Sequence, residues 1–216
     1  MSEFVNTYNK DDTWICFPMK RNLFYEEQIE KHKEKLPLNK YVEVVNVFLF
    51  NERWQLVVQK RSSKKKHNAN IMDKSIGGHI SAWDDANYTV MVESVQELQV
   101  PSLVLNNESD FKKTYKLLKW YTKTISILQY IDTQFFEMSK KINWEDILVG
   151  NKSHIYFWIY GWSVKNVDDE AKWILFYDLN ELEQEIKEFP NTFTYDLKFY
   201  INYYKKNIWD FLWNIL

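Results

Sequence analysis

The chain is 216 residues long and carries 28 Lys and Arg against 30 Asp and Glu, a formal net charge of −2. That length can bury a sizeable core in one large α/β domain, and the even charge gives no global field for nucleic acid or an anionic membrane. One cysteine, Cys16, excludes an internal disulfide framework, no apolar run approaches the roughly 18 residues of a spanning helix, and the opening "MSEFVNTYNKDD" lacks the apolar stretch of a secretory signal, so a cytoplasmic setting is expected.

Along the chain, "YEEQIEKHKEKL" (25–36) predicts a polar, exposed helix stopped by Pro37, after an irregular start. "YVEVVNVFLF" (41–50) and "WQLVVQK" (54–60), joined by a turn at "NER", predict a hairpin that delivers the basic cluster "KRSSKKKH". A short strand "KSIGGHIS" (74–81) follows, then a loop, then a helix over about 85–98 with Pro101 just beyond it. A second helix is expected over 108–125, with Phe111, Tyr115, Leu118 and Thr122 near one face. "ISILQYIDTQFFEMS" and residues 153–164 read as strands, although the first could begin by continuing the helix. Residues 173–190 read as a strand entering a helix with Asp178 or Asn180 as N-cap, and the tail "FTYDLKFYINYYKKNIWDFLWNIL" as one aromatic-rich helix. No repeat or linker divides the chain, so strands mixed with helices predict a single α/β sandwich over 1–216. The 14 Phe, 14 Tyr and 10 Trp read as core and strand positions ahead of base-stacking surfaces.

Glycine is scarce, with 4 residues, yet two stand together at Gly77 and Gly78, just ahead of a helix carrying Glu93 and Glu97. At i and i+4 those carboxylates share a helix face, while Met91, Val95 and Leu98 fall on another that can anchor in the core. Two adjacent carboxylates repel unless a cation lies between them. Hard divalent ions such as Mg²⁺ take oxygen ligands and complete their shell with water and substrate phosphates, and the carbonyl of Gly77 or Gly78 could join them. Taken alone, the glutamate pair is more often an exposed helix face, and "KRSSKKK" a solvated basic loop.

The spacing adds to this. Gly78, five residues, Asp84, seven residues and "VESVQELQV" together resemble the Nudix box, Gly-x5-Glu-x7-Arg-Glu-U-x-Glu-Glu-x-Gly-U with U aliphatic. Glu93, Glu97 and Val100 fall on fixed positions. The box is degenerate: Val92 stands at the Arg, Ser94 at an aliphatic position, Gln96 at the first of the paired glutamates and Gln99 at the second glycine. The flanks resemble the Nudix branch similar to type I isopentenyl-diphosphate isomerase. Gln59, Arg61, Ser62 and Lys65 match its Q-x-R-S-x-x-K pattern, "MDKSIGGHIS" its WD-x-S-x-GGH segment, and "YDLNELEQEIKEFPNTFTYDLKF" its closing strand–helix element. The likeness covers about 40–200, with a helical insertion expected over about 102–150.

The resemblance implies an α/β/α sandwich around a mixed sheet and metal-dependent cleavage of a diphosphate, such as a nucleoside diphosphate joined to a group X. Glu93 and Glu97 are the implied catalytic metal ligands, with Gly78 and Gln96 completing the set for Mg²⁺, or Mn²⁺ in its place. Arg61, Lys65 and His79 would bind the small-molecule diphosphate. Isomerase chemistry is not expected, because Gly77 replaces that enzyme's cysteine, Val42 replaces a metal histidine, and Cys16 lies far upstream. No acid precedes the strand at "GNKSH", where relatives often have one, which leaves Glu137, Glu145, Asp146, the "DDE" at 168–170, or His154 as stand-ins. A lone His beside a strand is more often structural. The other readings are a non-catalytic nucleotide- or diphosphate-binding module and an interaction protein working through its aromatic tail. That tail is expected to pack on its own domain or to form a homodimer interface, ahead of serving as a partner surface. No nucleic-acid or membrane partner is expected.

Overall fold

The computed structural model describes residues 3–65, 67–142, 145–161, 171–213 and 215. The short strands β1 (Phe4–Val5), β2 (Thr7–Asn9), β3 (Asp12–Cys16) and β4 (Met19–Lys20) lead into α1 (Arg21–Glu34). Then come β5 (Lys40–Phe50), β6 (Leu56–Arg61), β7 (Met72–Asp73), β8 (Ile76–His79) and α2 (Ala86–Leu98). The chain continues through β9 (Ser102–Leu105), α3 (Glu108–Leu118), β10 (Ser126–Ile142), β11 (Glu145–Ile159) and β12 (Ala171–Tyr177). It ends with α4 (Leu179–Glu188), α5 (Tyr195–Tyr203) and α6 (Lys205–Trp213). Among the described residues no helix is long and apolar enough to cross a membrane.

The central strand is β5, buried from Tyr41 to Phe50, as a near-continuous apolar run should be when both faces of a strand are covered. On one side β5 runs parallel to β11, which pairs antiparallel with β10, and β9 closes that edge parallel to β10. On its other side β5 meets β2, β8 and β6 in turn. The expected hairpin therefore parts almost at once: β5 and β6 pair at Phe50 and Leu56, then β8 takes the place beside β5. Ser75 fills the gap, its hydroxyl accepting from Leu49 N (2.8 Å) and donating to Val57 O (2.6 Å).

Alternate residues of β5 feed two cores. Val45, Val47 and Leu49 pack with Val90 and Leu98 of α2; Phe48 and Phe50 pack with Leu182 of α4, Leu197 of α5 and Phe211 of α6. Phe24 of α1 covers Val42 and Val44 at the other end of that second face. Helices thus sandwich a curled mixed sheet.

Several expectations need correction. Among the described residues, the segment 102–150 holds one α-helix, α3, followed by a 3₁₀ turn over Lys119–Tyr121, and its other elements are strands that extend the sheet; the cross-strand register of β10 and β11 runs unbroken from Asp132–Ile155 to Ile142–Glu145. The tail forms two helices with Tyr204 between them, and it packs on its own domain through Leu197, Tyr200, Ile208 and Phe211. On α2 the core face is Val90, Ser94 and Leu98, while Met91 and Val95 are exposed. Ser94 is fully buried and donates to Val90 O at 2.6 Å, satisfying its hydroxyl within the helix.

Candidate functional site

A cavity of about 170 Å³ opens where β6 leaves β5, between α1, β8 and α5. Its walls include Arg61, Lys65, Gly77, Gly78, His79 and Glu93, so the structure brings together most of the residues singled out in the sequence. Glu97 lies behind the wall, buried, where Gln59 Nε2 donates to its Oε2 at 3.0 Å and also to Ser75 O. Gln96 is exposed on α2 and takes no part in the cavity lining.

Both glycines are needed for close approach. A Cβ on Gly78 would stand 2.1 Å from Glu93 Oε1 and 2.7 Å from its Cδ, so the carboxylate occupies the space that any other residue would fill. A Cβ on Gly77 would stand 2.9 Å from Lys74 Cε. The two adjacent glycines thus admit an acid and a base to the same strand.

Lys74 is buried, its ammonium 3.4 Å from Asp73 Oδ1 and 3.7 Å from Asp196 Oδ2. Arg61 reaches Asp73 Oδ2 at 3.0 Å, and Thr194 donates to Asp73 Oδ1 at 3.0 Å. Burial alone would raise the Asp73 carboxyl, but Lys74 and Arg61 outweigh it and bring it down to about 2. The segments "QKRS", "MDKS" and "FT", far apart in sequence, therefore meet around one aspartate. Burial, and after it the charges of Arg21, Lys140, His67 and Lys74, holds His79 well below the ordinary imidazole range, and its Nε2 lies 2.9 Å from Tyr25 OH. Five cations line the cavity (Arg21, Arg61, Lys65, Lys74 and Lys140) against three acids, Asp73, Glu93 and Asp196. Asp196 Oδ1 is buried with no hydrogen-bond partner among the described residues.

Sequence reasoning missed Arg21, Tyr25, Asp73, Lys74, Lys140 and Asp196. Asp73 and Lys74 lay inside the quoted "MDKS" segment, which was a signal. The rest come from α1, β10 and α5, where nothing in the local pattern marks them. Of the acids offered as stand-ins, Glu137 is held by Lys10 (3.2 Å) and Tyr41 (3.0 Å), Glu145 and Asp146 are exposed, and the "DDE" at 168–170 lies outside the described residues.

The fit to a divalent ion is that of a two-carboxylate site. Among the described residues no group of three or more His, Cys, Asp and Glu is placed to hold a metal. Mg²⁺ commonly binds through one or two carboxylates, with water and substrate phosphates completing its shell. Of the two glutamates, Glu93 lines the cavity in the space left by Gly78, whereas Glu97, one turn on, is buried behind its wall.

No protein-family model matches the chain, and no curated protein matches its sequence. Solved structures do match. DR0079 from Deinococcus radiodurans aligns over 90% of this chain and 94% of its own, at 15% identity and a TM-score of 0.57. A MutT protein from Methanosarcina mazei Go1 aligns over 77% and 95%, at 15% identity and a TM-score of 0.48. A bifunctional NMN adenylyltransferase/ADP ribose pyrophosphatase from Francisella tularensis aligns over 86% and 47%, at 11% identity and a TM-score of 0.47. At these identities the likeness is one of fold, carried by the first match: an α/β sandwich around a curled mixed sheet.

Proposed function

We propose that the protein is a Nudix-type hydrolase that cleaves a diphosphate linkage in a small molecule with the help of Mg²⁺ or Mn²⁺. The observation that carries this reading is the Glu93 carboxylate lodged in the space over Gly78, in the wall of a cavity otherwise dominated by cations. A cavity of about 170 Å³ is small beside the ~300–1,000 Å³ of typical ligand sites, so it suits the reacting diphosphate while the group X lies outside.

Glu93 and Glu97 would hold the ion, and Gln59, donating to Glu97, fixes that side chain as outer-shell partners commonly do. When bound, a divalent ion supplies positive charge to phosphate oxygens and lowers the pKa of a bound water. Arg61, held in orientation by Asp73, presents its guanidinium to phosphate oxygens, and Lys65 adds a point charge. His79 stays neutral at pH 7, so it offers a hydrogen bond whose direction Tyr25 sets. Asp196 Oδ1 offers an acceptor to a hydroxyl or amine on the substrate.

The test is phosphate release from nucleotide, sugar-nucleotide, dinucleotide and prenyl diphosphates with Mg²⁺ or Mn²⁺. Turnover that depends on metal and falls by about 100-fold or more in Glu97→Gln is expected; unchanged turnover in that variant contradicts the assignment. A second reading, a non-catalytic diphosphate-binding module, is favoured by the exposed Gln96 and the Gln59 contact that occupies Glu97. It predicts metal-independent binding of the same compounds with no phosphate release.

A further inference from the structure

A second cleft, of about 640 Å³, opens beside the start of α2. Three strands place one chemical set at its base. Thr133 on β10 and His154 on β11 are direct cross-strand partners, and Glu43 lies on β5, the next strand over. Thr133 Oγ1 is 2.7 Å from His154 Nδ1, and His154 Nε2 is 2.8 Å from Glu43 Oε1. This is a hydroxyl, an imidazole and a carboxylate in series, the arrangement that activates a nucleophile in hydrolases of several unrelated folds.

The proton positions follow from the partners. Glu43 receives Lys152 (3.0 Å) on Oε1, and Asn6 (3.0 Å) and Tyr8 OH (3.2 Å) on Oε2. Burial opposes its ionisation, but the hydrogen bond from His154 and the charge of Lys152 overcome this and bring it to about 2. An ionised carboxylate only accepts hydrogen bonds, so His154 Nε2 carries the proton it donates to Glu43. In the neutral ring Nδ1 is then an acceptor, and the Thr133 hydroxyl donates to it. Tyr130 OH donates to the same Thr133 oxygen at 2.9 Å. Residues i and i+3 of a regular strand point to opposite faces. The register shift between Tyr130 and Asp132 brings these two to one face, and such bulges often re-aim side chains near sites.

We propose that Thr133 is a nucleophile, with His154 as its general base and Glu43 as a positioning residue, in a second site that hydrolyses uncharged esters with a small apolar acyl group. The substrate class follows from the walls. Met91, Tyr88, Tyr130 and Tyr156 are mostly apolar, and among the described lining residues there is no Lys or Arg and Asp85 is the one carboxylate. An anionic phosphate substrate suits the other cavity, not this one. Thr133 Oγ1 adds to the ester carbonyl carbon as its proton passes to His154 Nδ1. The C–O bond to the alcohol then breaks, and the alcohol leaves with that proton. Water, deprotonated by His154, attacks the acyl-threonine and releases the acid, returning the proton to Thr133.

The test uses the full chain with EDTA present, which separates this activity from any metal-dependent one. Hydrolysis of p-nitrophenyl acetate and butyrate is measured, and labelling by a fluorophosphonate is mapped by peptide mass spectrometry. Turnover above the buffer rate, a label on Thr133, and a loss of at least about 100-fold in kcat/KM in Thr133→Val are expected. Thr133→Ser should restore turnover, and Glu43→Gln should lower kcat with KM little changed. Absence of turnover and label in the folded wild-type protein overturns the proposal, as does a label on another residue or full turnover in Thr133→Val. If Thr133→Val fails to fold, the mapped label and Thr133→Ser decide.

Discussion

At the scale of single residues, the sharpest consequence concerns Gly78. An alanine Cβ there meets the flexible end of Glu93, so the side chain will move and the backbone will not. Gly78→Ala should therefore keep its thermal midpoint within a few degrees while metal-dependent turnover drops by about tenfold or more; circular dichroism beside the phosphate-release assay checks both. Asp73 makes a separate prediction. Its folded pKa of about 2 lies below the ordinary Asp value of about 3.9. The carboxylate thus adds stability above about pH 4 that is lost as pH falls toward 2, worth about 2 kcal/mol. Denaturant unfolding across that range should show the loss in wild type and a flatter profile in Asp73→Asn. That Glu93, the two glycines, Arg61 and Lys65 would meet at one cavity was legible because their spacing and the flanking patterns carry them in one dimension, whereas the burial of Glu97 behind its wall was not. Tyr25, Lys140 and Asp196 were not, because each reaches the cavity from an element whose local pattern only describes a helix or strand.

At the scale of elements, the end of α2 carries a residue in an uncommon conformation. Gln99 sits in the left-handed region, φ 55°, at the end of α2. Glycine adopts that conformation without the Cβ penalty, so Gln99→Gly should stabilise the protein by about 0.5–1 kcal/mol, measurable by urea unfolding. Ser75 bridges the parted strands β5 and β6. Ser75→Ala leaves the buried Leu49 N–H and Val57 C=O without that partner and should cost about 2 kcal/mol. The boundaries of α2 and α4 were readable because a cap and a following turn mark them; Asp85 and Asp178 both serve as N-caps. The strands of the first 20 residues are two to five residues long, too short to show alternation. The full length of β10 and β11 was hidden because polar residues such as Lys140, Lys141 and Asn151 interrupt the apolar pattern.

For the whole molecule, the same sheet supports two chemically different clefts. One cleft presents cations around Asp73 and Glu93, and the other is mostly apolar beside Thr133 and His154. The α/β class was legible in sequence from strands alternating with helices, whereas the parting of β5 from β6, which makes room for the first cavity, depends on Ser75 and β8 and appears only in three dimensions. The central claim is that Glu93 engages a diphosphate through a divalent ion. Calorimetric titration with methylenediphosphonate, with and without Mg²⁺, on wild type and Glu93→Gln tests it most directly. Binding strengthened at least about tenfold by Mg²⁺ in wild type, with that gain absent in Glu93→Gln, is the predicted result. Equal affinity with and without Mg²⁺, or an undiminished Mg²⁺ effect in Glu93→Gln, would contradict it.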